Sequence, residues 1–417
     1  MSTRSVSSSR RTIGRPTRSN ATGVSAIRSC SVARGCSKPG TVKPSSGKSR
    51  VRSSGRSRKP SSLPARARIP IRRVSGTTST ATPLAIRPER KGPAGVATTE
   101  LTYLNAILEA EKEEMERDSS VILVGEDIAL YSASGVLGKL DPRRTWNAPI
   151  SELGFSGMAI GAAITGLRPI VDLTIASFVY LACDQIINQA AKIRFMTGGQ
   201  VRVPVVFRMS MWHNGANAAQ HSDRPYPMFM NVPGLKVIAP ATPSDMKGML
   251  KSAIRDDDPV LVFEDNDLWG KKEAVSTDPD FLVPLGKAAV RREGSDVTIV
   301  SVAGCLLHAL PAAEQLAKEG ISAEVVDVRS LVPLDRATIL ASVAKTRRLV
   351  VVDYAHRTAG AAAEIAATVA EEGFETLRAP ILRVTTPDVQ IPFSPKLERP
   401  LYPNRDKIVA AVHKVLH

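Results

Sequence analysis

Of 417 residues, 56 are Lys or Arg and 40 are Asp or Glu, a formal net charge of +16. The excess sits in residues 1–100, with 22 basic groups against Glu89 and Glu100, whereas residues 101–417 carry 34 basic and 38 acidic groups. A mildly acidic body excludes a whole-chain nucleic-acid binder, no apolar run approaches the ~20 residues of a membrane span, and Cys30, Cys36, Cys183 and Cys305 are too few for a disulfide scaffold. The body is expected to be soluble and intracellular.

Residues 1–97 are Ser, Arg, Gly and Pro in irregular order without helical spacing. Such a stretch buries too little apolar surface to offset its ordering entropy, so a disordered basic arm is expected. Its acid-free, Arg- and Ser-rich start is compatible with a transit peptide, with a basic tail for phosphates, or with a dispensable extension. A cytoplasmic protein is expected, or a mitochondrial matrix protein if the arm is a transit peptide.

From Glu100 the pattern changes. Residues 101–115 read as a helix, and apolar runs at 121–124, 170–173, 203–207, 235–239 and 260–263 read as short buried strands. Helices are expected around Cys183, Ile186, Ile187 and Ala190 and over 245–254. A polar stretch, 266–284, reads as a linker. A second series follows: strands at 297–302, 322–327, 348–353 and near Ile381, with helices at 308–319, 335–344, 361–371 and from Arg405. Buried strands alternating with helices predict α/β architecture, two parallel-sheet domains over 98–284 and 285–417.

The chain lacks a Walker A loop, G-x-S-x-G, H-E-x-x-H and G-x-G-x-x-G. Three local constellations remain. In Ala148–Gly157, Glu152 opens a helix containing Gly154, Gly157 and Gly161, which would allow close packing on another chain or a ligand. A helix-capping role for Glu152 explains the composition as well. The loop Asn214–Ser222 follows a strand, where α/β proteins bind ligands, and makes His221 an acid–base candidate or a hydrogen-bonded loop histidine. Residues 253–259 concentrate carboxylates: a hard-cation site or a solvated helix end.

Together these stretches resemble the β subunit of the thiamine-diphosphate-dependent decarboxylating component of 2-oxo acid dehydrogenase complexes, the pyruvate, branched-chain and acetoin dehydrogenase family. The resemblance rests on Val124-Gly-Glu-Asp-Ile128, Pro149-Ile-Ser-Glu-Leu-Gly-Phe155, Gly166-Leu-Arg-Pro-Ile170, residues 184–192, Ala219-Gln-His-Ser222, Pro233-Gly-Leu-Lys-Val237, Ala253-Ile-Arg-Asp256 and Ile391-Pro-Phe-Ser-Pro-Lys-Leu-Glu398. It spans the body and none of the arm.

The resemblance implies a transketolase-like pyrimidine-binding domain followed by a transketolase C-terminal-like domain. Glu152 falls on the family's glutamate for the cofactor aminopyrimidine, Phe178 on the aromatic packed against that ring, and His221 on the histidine facing substrate. Val205, Ala253, Ile254, Asp256 and Asp258 fall on positions that hold a structural potassium ion in some members. The cofactor's diphosphate and Mg²⁺ need a Gly-Asp-Gly motif, and this chain has no Gly-Asp pair. A separate α subunit is therefore implied, in a heterotetramer of two α and two β chains, with a lipoyl acyltransferase as acyl acceptor. Pyruvate is the expected 2-oxo acid; acetoin is the alternative, and a non-catalytic basic binding protein acting through the arm is the rival from another class. One departure is Met209-Ser-Met-Trp212, where bulky groups are expected to alter the pocket's approach.

Overall fold

Short, fully buried runs such as Val121–Gly125 have nowhere to place both faces except between two apolar layers, which is the environment of a parallel sheet. The computed structural model describes residues 97–128 and 141–417. Apart from Ala97, the expected arm lies outside the described residues.

Fourteen strands are formed among the described residues. They are β1 (Thr98–Thr102), β2 (Val121–Gly125), β3 (Thr145–Asn147), β4 (Arg168–Ile175), β5 (Val206–Met211), β6 (Lys236–Ile238) and β7 (Val260–Asp265). The series continues with β8 (Lys272–Ser276), β9 (Ala289–Arg292), β10 (Val297–Ser301), β11 (Ala323–Asp327), β12 (Ser330–Val332), β13 (Leu349–His356) and β14 (Leu382–Thr386). The first sheet has the order β12-β6-β7-β5-β4-β2-β3, the second β14-β13-β10-β11-β9, and β1 pairs with β8 in a ribbon. All pairs within the two large sheets are parallel except β12–β6 and β9–β11.

The helices used below are α1 (Tyr103–Arg117), α2 (Glu152–Ile164), α3 (Val179–Asp184), α4 (Ala191–Met196), α5 (Tyr226–Met230) and α6 (Pro243–Arg255). In the second half come α7 (Leu306–Lys318), α8 (Arg336–Thr346), α9 (Ala361–Glu372), α10 (Pro395–Glu398) and α11 (Arg405–Leu416). Alternate strand residues divide between two apolar layers: Leu123, Val206, Val262 and Ile299 enter one, and Val124, Phe207, Phe263 and Val300 the other. Each layer therefore runs through both large sheets.

Three expectations need correction. The expected helix from Leu101 starts at Tyr103, because the Thr102 hydroxyl accepts the Asn105 N–H at 3.1 Å and caps it, leaving Thr98–Thr102 as β1. The expected linker 266–284 contains β8, whose backbone is paired antiparallel with β1 over Thr98–Thr102. The strand expected at 203–207 begins at Val206, after Pro204, which offers no N–H to a ladder. Strand β12, from the second series, adds antiparallel to β6 at the edge of the first sheet.

Candidate active site

The C-terminal ends of β2, β4 and β5, adjacent in the first sheet, open onto a cavity of about 1020 Å³. Its wall includes Glu126, Glu152, Thr174, Phe178, His221 and, from the segment after β14, Gln390. This is the edge at which parallel α/β sheets present their loops to ligands.

Each side chain arrives by a local device. Glu126 is the first residue beyond β2, and the residue before it must be glycine: a Cβ at Gly125 would lie 2.3 Å from the Asp172 carbonyl oxygen. Glu152 is the first residue of α2, and Phe178 ends a 3-10 turn (Ala176–Phe178) directly after β4. His221 ends another 3-10 turn, Ala219–His221, in the loop after β5. The Phe178 and His221 rings meet edge-on, centroids 5.6 Å apart at 76°. The structure thus brings Glu152, Phe178 and His221 to one cavity, although nearly seventy residues separate the first from the last.

The electrostatics of this cavity are those of an incomplete site. Glu152 is 4 % exposed, and its carboxylate accepts no hydrogen bond from the described residues. Ser151, at the N-cap of α2, makes no side-chain capping bond either. Beside it Glu126 is 2 % exposed, with both carboxyl oxygens unpartnered. Burial, then the nearby Glu152 charge, pushes the Glu126 carboxyl up to about 7. Ser177 Oγ on the same wall is also unpartnered. Two carboxyls and a hydroxyl without partners call for a ligand rich in donors. Sequence reasoning quoted Glu126 only as part of a matching stretch; the signal was a Gly-Glu-Asp at a strand end.

A second acidic group lies beneath the cavity. Arg208 on β5 donates to Asp172 Oδ2 at 2.6 Å and Glu264 Oε1 at 2.7 Å and lies 3.3 Å from Glu111 Oε1, all four being buried. One guanidinium cannot neutralise three carboxylates. Burial raises Glu111 to about 8 and Asp172 to about 6, against the opposing pull of Arg208.

The residues expected at a potassium site lie at the opposite edge of the sheet, where β5 and β7 begin and α6 ends. Arg168 Nη1 donates to the carbonyl oxygens of Ile254 and Asp256 at 3.1 and 2.9 Å. The nearby carboxylates are committed to cationic side chains: Asp256 to Lys236, Asp257 to Arg168 and Arg202, and Asp258 to Arg194. Met209, Ser210 and Met211 are buried in β5, and Trp212 packs against Trp269 at 6.1 Å. None of these four lines the cavity, so the expected effect on the pocket's approach has no geometric basis here.

Residues 99–271 match the family described as transketolase, pyrimidine binding domain, and residues 286–408 match transketolase, C-terminal domain. The chain is 46 % identical over 323 residues to the mitochondrial pyruvate dehydrogenase E1 component subunit beta-1 of Arabidopsis thaliana, covering 75 % of this chain and 88 % of that protein. It is 44 % identical over 333 residues to the acetoin:2,6-dichlorophenolindophenol oxidoreductase subunit beta of Bacillus subtilis, covering 76 % and 97 %. The chain belongs to the 2-oxo acid dehydrogenase β-subunit family. A solved split-gene transketolase, described as an inactive β4 tetramer, superposes on this β subunit with a TM-score of 0.64 at 26 % identity, covering 76 % of this chain and 98 % of that one. The exposed residues lining the β subunit's cavity include the apolar Ile150, Tyr180 and Leu181, 82, 47 and 62 % exposed, beside the polar Asp127, Gln220 and Gln390.

Proposed function

We propose that this chain, paired with a separate α subunit in a heterotetramer of two α and two β chains, carries out thiamine-diphosphate-dependent oxidative decarboxylation of pyruvate and passes the acyl group to lipoamide on an acyltransferase. The observation that carries the reading is the cavity, with its two unpartnered, buried carboxyls beside an aromatic ring and a histidine. An aminopyrimidine ring offers what this wall lacks, a ring nitrogen and an amine, so the residues present fit the cofactor's pyrimidine half.

When bound, thiamine diphosphate supplies the electron sink that lets carbon dioxide leave a 2-oxo acid. The chain's own groups do the rest. Glu152 holds a proton at the pyrimidine nitrogen, because its carboxyl stands in the cavity with no competing protein donor. Phe178 covers the ring and excludes water from one side. His221, whose ring stacks edge-on with Phe178, orients the substrate carboxylate and moves a proton during acyl transfer. The diphosphate and its Mg²⁺ fall to the α subunit, since the chain has no Gly-Asp pair and no group of three His, Cys, Asp or Glu among the described residues is placed to hold a metal.

The domains we assign are 98–284 for the pyrimidine side and 285–417 for the C-terminal side, supported by the two family matches. A structural potassium ion at Val205, Ala253, Ile254, Asp256 and Asp258 belongs to the same reading; two of those carbonyls already converge on one cationic group, Arg168. A melting temperature of the assembled enzyme that is the same in potassium and sodium chloride would remove it. The compartment we assign is the cytoplasm; a reporter fused to residues 1–97 that enters mitochondria would reassign it to the matrix.

Near-equal identity to the Bacillus subtilis acetoin-named protein keeps acetoin as the second reading. Carbon dioxide release from a panel of 2-oxo acids, and cleavage of acetoin, measured with the cognate α subunit, separates the two. Release from no 2-oxo acid overturns the first.

A further inference from the structure

Between β5 and the turn that carries His221, the chain passes through Asn214, Gly215, Ala216, Asn217 and Ala218. Asn214, Ala216 and Ala218 have φ of 57°, 56° and 57°. Residues with a Cβ enter this left-handed region at a cost, and remain there when surrounding contacts over-determine the backbone. Here the contact is a carboxylate. The Asn214 N–H donates to Glu398 Oε1 at 2.8 Å and the Ala216 N–H to Glu398 Oε2 at 3.2 Å.

Glu398 is the last residue of α10, 184 positions beyond Asn214, and is fully buried. The Tyr402 hydroxyl also donates to it, at 3.3 Å, and the Tyr402 ring packs on His213, just before the loop, at 5.1 Å. Backbone amides gathered around one anion form a nest, and bonds to a charged acceptor are roughly twice as strong as neutral ones. In this nest the anion is part of the protein.

We propose that Glu398 is a positioning residue: by clamping the Asn214 and Ala216 amides it fixes the loop that presents His221 to the cavity. The geometry is direct, because the turn Ala219–His221 begins immediately after the third left-handed residue, Ala218. The proposal rests on the decarboxylase reading for the role of His221, while the clamp itself does not. It also gives the second half of the chain a hold on a loop of the first.

The test is Glu398→Gln in the assembled enzyme. Glutamine offers one acceptor oxygen and turns an amide donor toward the other N–H, so one bond is lost and the other position becomes donor against donor. Hydrogen–deuterium exchange of residues 214–222, measured without substrate, is expected to quicken about tenfold or more. With a 2-oxo acid, kcat/KM is expected to fall about tenfold, while exchange of the cofactor's thiazolium proton stays at the wild-type rate.

The double variant Glu398→Gln/His221→Ala is expected to be no slower than His221→Ala alone, because an effect transmitted through one residue disappears with it. A general scaffold defect would instead multiply. Should Glu398→Gln fail to assemble, Glu398→Asp, with the charge retained one methylene short, carries the same measurements with smaller changes. Wild-type exchange in 214–222, or multiplying rate losses, overturns the proposal. Faster loop exchange in an enzyme that decarboxylates no 2-oxo acid overturns the functional reading instead and leaves the clamp standing.

Discussion

Replacing Glu152 by Gln separates chemistry from scaffold, because the two roles predict changes of different size in different observables. As a helix-start residue, Glu152 makes no hydrogen bond to the described backbone, so only its interaction with the dipole of α2 is at stake, about 0.3–1 kcal/mol. Removing its charge also relieves repulsion of Glu126, the second cause of that group's raised pKa. The two effects oppose each other, and the variant's unfolding free energy should stay within about 1 kcal/mol of wild type. Turnover should behave otherwise. An amide cannot supply a proton to the pyrimidine nitrogen, and loss of general acid–base assistance is worth roughly 10²–10⁴-fold, or about 3–5 kcal/mol of barrier. Carbon dioxide release by the reconstituted enzyme, and exchange of the thiazolium proton followed by NMR, should slow in parallel, since that exchange precedes any contact with substrate. Unaltered proton exchange in Glu152→Gln would refute the assignment and the mechanism built on it.

Three further outcomes follow from other parts of the molecule. His221→Ala should leave thiazolium proton exchange near wild type while turnover or acyl transfer falls by about 10²-fold; equal losses in both would place His221 with Glu152 instead. The purified chain without its α subunit should release no carbon dioxide from pyruvate, and ordinary turnover by the isolated chain would sink the shared-site reading. Glu111 carries a folded-state pKa of about 8 against an unfolded value near 4.5. The folded chain therefore keeps a proton that the unfolded chain has lost, and stability should decline as pH rises from about 4.5 to about 8, by at most about 1.4 kcal/mol per pH unit. Glu111→Gln mimics the protonated form, so urea unfolding at pH 6 and 8 should show a smaller difference than wild type; an unchanged difference would show that Glu111 does not titrate in this range.

Much of the fold was legible because its strands are short apolar runs between turn residues, and their burial on both faces leaves few alternatives. The failures share a cause. Strand β8 is Lys-Glu-Ala-Val-Ser, with little apolar signal of its own, and becomes a strand only because β1, some 170 residues earlier, offers an unpaired edge. Strand β12 likewise has three residues and depends on the exposed edge of β6. Such pairing is tertiary, and no local window contains it. At the site, composition alone favoured a helix cap for Glu152, and the resemblance, not spacing, gave it a catalytic role and joined it to Phe178 and His221. Glu126 stayed unread because its significance is the absence of any partner for two buried oxygens, a property of the fold and not of the sequence. The acids at 256–258 were visible as a cluster, yet Arg168, Arg194, Arg202 and Lys236, which pair with them, are distributed along the chain.

The pair Glu126 and Glu152 also bears on the proposed division of the site between two chains. In the single chain, burial is already the largest cause of the raised Glu126 pKa, although the cavity mouth, with Ile150, Tyr180 and Leu181, remains open. If the α subunit of the proposed assembly seats on those apolar residues, it removes water from the same space, which strengthens the dominant cause and leaves the Glu152 repulsion in place. Pairing should therefore move Glu126 further up, and at pH 7 convert a half-protonated group into a protonated one. A carboxylic acid kept neutral in this way adds no second negative charge beside Glu152 and leaves that carboxyl free for the pyrimidine nitrogen of the proposed cofactor. Infrared spectra at pH 7 should then show a carboxylic-acid carbonyl component, over the one Glu111 contributes, that grows when the α subunit is added and is missing from the Glu126→Gln spectrum. A band that shrinks on pairing would mean that the partner brings a positive charge strong enough to outweigh desolvation, and the neutral-acid role of Glu126 would have to be given up.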